Sequence, residues 1–145
     1  MKILVDADAC PVKAVIVKVA REKDIPVVMV CDTAHIINDG YSSTVTVDKG
    51  ADSADFALIN LAEPKDLVIT QDYGVAAMAL SRKSVAINQN GLVYTNENID
   101  RLLMERHVGA KARKSGVRTK GPSKRTRDDD KRFETALRRL IGEKS

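Results

Sequence analysis

Residues 1–8 read MKILVDAD, and this stretch decides the fold. Ile3, Leu4 and Val5 form a short apolar run of β-formers, and Asp6 and Asp8 follow at alternate positions. A buried strand that ends in carboxylates delivers them to one edge of a sheet, where ligands reach them. The same grammar recurs along the chain. Residues 27–30 lead to Asp32, residues 45–47 to Asp48, and residues 67–70 to Gln71 and Asp72. In a parallel sheet these acids converge on one edge. Carboxylates brought together repel, and a cation among them relieves that repulsion. The pattern points to a divalent metal.

Helical signals alternate with the strands. Pro11 suits a first helical turn, and Val12, Val15, Ile16 and Val19 recur at helical spacing as far as Lys23-Asp24. Strands are expected over 26–31, 43–47, 67–70 and 85–87, and helices over 52–62 and 74–82. Asn90-Gly91 signals a turn, and Asn96 is expected to cap a helix running to His107. A final helix begins at Asp128–Asp130 and carries Phe133, Leu137, Leu140 and Ile141 on one stripe, with Gly142 after it. Strands alternating with helices predict an α/β fold, a three-layer α/β/α sandwich around a mainly parallel sheet.

At 145 residues the chain is long enough for one domain with a proper core. Its 43% hydrophobic and 30% charged residues are those of a soluble globular protein. No apolar run is long enough to cross a bilayer, so no membrane role is expected. No signal peptide is visible, and a cytoplasmic location is the expectation. Cys10 and Cys31 suggest neither a disulfide scaffold nor a zinc cluster. With 3% aromatics and no Trp, base stacking cannot dominate recognition. The net charge of +4 is uneven: residues 106–127 hold nine Lys or Arg, one His and no acid. An acidic edge with a basic flank suits a polyanion handled through a metal. The plain alternative for the basic run is a solvated loop.

Asp6, Asp8, Asp52, Asp55 and Asp72 are the candidate metal ligands, and two or three of them suffice for Mg²⁺ or Mn²⁺. Helix capping is the simpler role for Asp52, and turn chemistry for Asp32 and Asp48. Thr70 and Asn88 sit at the same expected edge, where they orient a ligand or cap the next turn. Lys13 lies in the first helix within reach of a phosphate, or on a solvated face. Cys10 stands at a helix start, where thiol pKa values fall, but a small buried residue is the better reading. His35 and His107 are isolated and read as surface or structural residues.

These motifs together resemble the YaiI/YqxD family of uncharacterised bacterial proteins. The resemblance rests on DADACPVK (6–13), DKGADSADFALIN (48–60), VITQDYGVAAMAL (68–80), NIDRLLMERH (98–107) and KGPSKRT (120–126). That family looks like a branch of the PIN-like nucleases, whose resemblance implies Mg²⁺- or Mn²⁺-dependent cleavage of RNA or DNA. Carried over, the catalytic acids are Asp6, Asp55 or Asp52, and Asp72 of the T-x-D motif begun by Thr70. Asn88 stands where a fourth acid is common in that superfamily, unless Asp8 replaces it. Residues 1–107 then form the PIN-like domain, and 108–145 a basic loop and a helix packing on it. Lys13, Thr70, Asn88, Lys120, Lys124 and Arg125 are the expected substrate contacts. The expected partner is nucleic acid, RNA ahead of DNA, with a homo-oligomer left open. Two rival readings stand beside this one. ILVDAD also resembles the opening of haloacid-dehalogenase phosphatases, with Asp6 as nucleophile, although Ala9-Cys10 and the lack of paired late aspartates depart from it. The other rival is a nucleic-acid-binding module with a degenerate, non-catalytic site.

Overall fold

The computed structural model describes residues 1–8, 10–32, 37–48, 53–114 and 124–142, with backbone alone for 53 and 106–114. Asp52 and Lys120, both expected at the site, lie outside the described residues, as do His35 and part of the basic run. The elements are β1 (Ile3–Asp6), α1 (Lys13–Lys23), β2 (Val27–Asp32), β3 (Ser43–Val47), α2 (Ser53–Leu61), β4 (Leu67–Ile69), α3 (Tyr73–Ser81), β5 (Val85–Ile87), β6 (Val93–Tyr94), α4 (Asn96–Lys114) and α5 (Arg127–Gly142).

The strands form one sheet in the order β3-β2-β1-β4-β5-β6. All neighbours pair in parallel except β5 and β6. β1 is central, with Ile3 opposite Val27 on one side and Leu67 on the other. Alternate side chains enter two cores. Ile3, Val5, Met29, Cys31, Leu67, Ile69 and Ile87 pack against α1 and α5. Leu4, Val30, Val68 and Ala86 pack against α2, α3 and the start of α4. This is the expected three-layer α/β/α sandwich.

Local chemistry sets the helix ends. Asp24 adopts the left-handed conformation at φ 55° and closes α1. The Asp72 side chain caps α3, accepting from the amides of Gly74 at 2.7 Å and Val75 at 3.2 Å. Thr95, rather than Asn96, opens α4. Its hydroxyl accepts from the Asn98 amide at 3.1 Å, and its own amide donates to Asn98 Oδ1 at 2.8 Å. Thr126 and Asp129 exchange the same two bonds before α5, a reciprocal capping box. Phe133 and Leu137 are fully buried against α1. α4 runs on through residues expected to be loop, as far as Lys114. Gly142 is the last helical residue of α5 and not the residue after it.

Candidate active site

β1, β2 and β3 step outward to one side of the sheet, and β4 returns to the other side of β1. The strand order therefore reverses between β1 and β4. In an open parallel sheet the crevice beyond the carboxyl ends of such a pair is the usual ligand site. Asp6 is the last residue of β1, and Thr70 directly follows the last residue of β4. Strand alternation puts Asp6 and Thr70 on the face covered by α2 and α3, because they share the parity of Leu4 and Val68.

Thr70 joins the two acids. Its buried hydroxyl donates to Asp6 Oδ2 at 3.0 Å and accepts from the Asp72 amide at 3.0 Å. The Thr70 carbonyl in turn accepts from the Tyr94 hydroxyl at 3.2 Å. Tyr94 is buried, with its ring edge-on to Tyr73, and burial pushes its phenol well above the usual range. The T-x-D segment is thus fixed from both sides. Asp72 spends Oδ1 on the α3 cap, while among the described residues no donor reaches Asp72 Oδ2 or Asp6 Oδ1.

The electrostatics are those of crowded acids. Burial pushes the Asp6 carboxyl above its usual range; the Thr70 hydrogen bond draws it partly back, and the charges of Asp72 and Asp8 push it up again. Asp8 leans toward β2, where its Oδ1 accepts from the Asp32 amide at 3.1 Å. Asp55 is half-buried in the first turn of α2, which packs over β1, β2 and β3 and starts at this same edge.

The other expected contacts are placed differently. Lys13 begins α1 on the opposite face, near enough to Cys10 and Cys31 for its charge to bear on both thiols. Asn88 Oδ1 accepts from the amides of Asn90 and Leu92, both at 2.9 Å, so its acceptor shapes the β5–β6 turn. Arg125 is tied down at three points: to Asp130 Oδ1, Asn90 Oδ1 and the Gln89 carbonyl, each at 2.7 Å. It anchors α5 to that turn. Lys124 beside it is exposed. Burial pushes the Cys10 thiol up, overriding the lowering expected at a helix start. Tyr94 and the strand that carries it were not legible as site support; a two-residue strand after the Asn90-Gly91 turn was the available signal.

A resident Mg²⁺ or Mn²⁺ fits two carboxylates with water completing its shell. Asp6 and Asp72 answer that description, with one oxygen each unengaged by described donors and no described cation paired to either. Among the described residues no three His, Cys, Asp or Glu side chains converge as a ligand set. Two carboxylates are fewer ligands than a closed protein cage requires.

The family model described as "Uncharacterized BCR, YaiI/YqxD family" matches residues 4–143. A UPF0178 protein of Clostridium acetobutylicum is 57% identical over 143 residues, spanning 97% of each chain. One from Ruminiclostridium cellulolyticum is 56% identical over 137 residues, covering 94% of this chain and 90% of its own. One from Exiguobacterium sibiricum is 52% identical over 145 residues, covering 100% of this chain and 99% of its own. No solved structure matches the chain. From residue 4 to residue 143, and at more than half identity to such relatives, the chain belongs to the YaiI/YqxD family.

Proposed function

We propose that the protein is a metal-dependent nuclease of the PIN-like type, hydrolysing phosphodiester bonds of RNA or DNA. The observation that carries this reading is the Asp6–Thr70–Asp72 bridge at the switch point between β1 and β4. Asp6 and Asp72 would hold Mg²⁺ or Mn²⁺, with Asp55 at the same edge to orient water. When bound, such an ion supplies Lewis-acid polarisation of a phosphoryl oxygen and a lowered pKa for water. Thr70 positions both acids. Its hydrogen bond favours the ionised form of Asp6, the form a cation needs. Asp72 keeps one oxygen on the α3 amides, so its carboxylate cannot swing away.

The test is cleavage of labelled RNA and DNA oligonucleotides with Mn²⁺, wild type against Asp6→Asn. Cleavage by the wild type alone supports the reading. Mn²⁺ should also raise the melting temperature of the wild type and leave Asp6→Asn unmoved, because a ligand that binds only the folded state stabilises it. Equal shifts in both proteins would sink the metal assignment. Phosphoryl transfer trapped on Asp6, with no strand cleavage, would replace the nuclease by a phosphatase.

A further inference from the structure

A groove of about 530 Å³ lies between the β5–β6 turn and α5. Lys131, Arg132 and Arg139 line it, against one carboxylate among the described residues, that of Asp128. Lys131 and Arg139 are exposed and form no ion pair with any described residue. Arg132 is partly neutralised by Asp129. A second groove of similar size, against α1, is lined by Lys18, Arg21, Glu22 and Asp39, whose charges cancel. The α5 groove is therefore a cationic one built on a close-packed wall. Gly91 and Ala136 lie in that wall, where a Cβ on Gly91 would stand 2.9 Å from the Arg132 carbonyl oxygen. Arg125 clamps the same turn to the start of α5.

We propose that this groove carries the phosphate backbone of the nucleic acid strand whose scissile bond lies at the Asp6–Asp72 edge. The inference rests on the nuclease reading and gives its substrate a track. Lys131 and Arg139 are eight residues apart on one helix, about 12 Å along its axis. Even at about 3.4 Å of axial rise per phosphate, that interval sets the two cations against different phosphates of one strand. Two cations with no ion-pair partner among the described residues, at such spacing and with Thr135 between them, hold a backbone without reading bases. The groove lies at the same end of the sheet as the acids. β1, β4 and β5 run parallel with Ile69 opposite Ile87, so the turn after β5 leaves the edge at which Asp6 and Thr70 stand.

The experiment is fluorescence anisotropy of a single-stranded oligonucleotide across a salt series, in EDTA so that no strand is cut. Each phosphate contact to a single strand contributes about 0.7 to the slope of log affinity against log salt. The Lys131→Ala/Arg139→Ala variant should flatten the slope by about 1.4 and bind more weakly. Lys65→Gln/Arg82→Ala removes the same charge at the opposite edge of the sheet and should leave the slope unchanged. Thr135→Lys should steepen it by about 0.7. An unchanged slope in both groove variants, with a wild type that binds, overturns the groove and leaves the nuclease reading standing. A wild type that binds no oligonucleotide also overturns the groove, and the Mn²⁺ cleavage assay then decides the nuclease reading separately. Polyglutamate that displaces the oligonucleotide more readily than unlabelled oligonucleotide does would make the groove a site for acidic protein and overturn the inference.

Discussion

Thr70→Val removes one hydroxyl and keeps the volume. The Asp6 carboxylate then loses its donor, and the Asp72 amide loses its acceptor. Asp6 and Asp72 are half-buried, so water replaces part of each bond. A net cost of about 1 kcal/mol per bond gives about 2 kcal/mol in all. For a chain of this size that lowers the melting temperature by about 4–8 °C. The cost also has a pH sign. Burial already lifts Asp6, so the native state holds that proton more tightly than the unfolded state does. Native stability due to Asp6 therefore falls as pH rises through its folded pKa. Thr70 offsets this by favouring the ionised form, and the valine variant lifts Asp6 further. The penalty of Thr70→Val should be largest near neutral pH and shrink in acid. Urea unfolding at about pH 7 and about pH 4 measures both. Thr70→Ser, which keeps the hydroxyl, should show the smaller cost of a lost methyl and no added pH dependence. A Thr70→Val penalty below about 0.5 kcal/mol at neutral pH, or one equal at both pH values, would refute the bridge as the organiser of the two acids.

Two further outcomes follow from the fold. Lys2 Nζ donates to Asp66 Oδ2 at 2.6 Å at the opposite edge of the sheet. Burial pushes the Asp66 carboxyl up, but the Lys2 side chain and the amides of Lys2 and Glu63 together bring it below its usual range. Its contribution is present above the ordinary carboxylate range and is lost as pH falls through the depressed value. Lys2→Met should cost about 2 kcal/mol at neutral pH, with a loss that fades in acid; urea midpoints across pH read it, and a flat profile contradicts it. Gly91→Ala puts a Cβ at φ +90°, 3.1 Å from Ala136 Cβ as well as against the Arg132 carbonyl. Backbone strain alone should cost about 1–3 kcal/mol, and amide exchange should quicken first in α5; uniform quickening across the sheet would contradict the local account.

The strands of the parallel sheet were legible because each is a short apolar run ended by a polar residue. Residues 43–47 and 85–87 carry such clear ends that their bounds match β3 and β5. β6 was not legible: two residues have no periodicity, and its pairing with β5 depends on a turn shaped by Asn88. The basic charge and Gly109 read as loop, yet α4 continues through them. A single interior glycine costs only about 1 kcal/mol, which a long helix tolerates. At the site, Asp6, Thr70 and Asp72 were legible as strand-end polar residues, but their adjacency was not. It depends on β4 lying beside β1, which is a matter of strand order. The charge of Arg125 suggests a phosphate contact; its three internal partners lie more than 30 residues away in sequence or five residues on, which composition does not reveal.

The central position of β1 has a consequence for biosynthesis. Its two partners are unequal in arrival: Val27 of β2 follows Ile3 closely, whereas Leu67 of β4 is 64 residues downstream of Ile3. At ribosomal speeds of about 5–20 residues per second, the second edge of β1 waits roughly 3–13 s for its partner to emerge. During that interval a nascent chain presents Ile3, Leu4 and Val5 on an open, apolar strand edge, the kind that pairs with other chains. The strand that supplies Asp6 is thus also one that must be kept from pairing with other chains while the protein is being made.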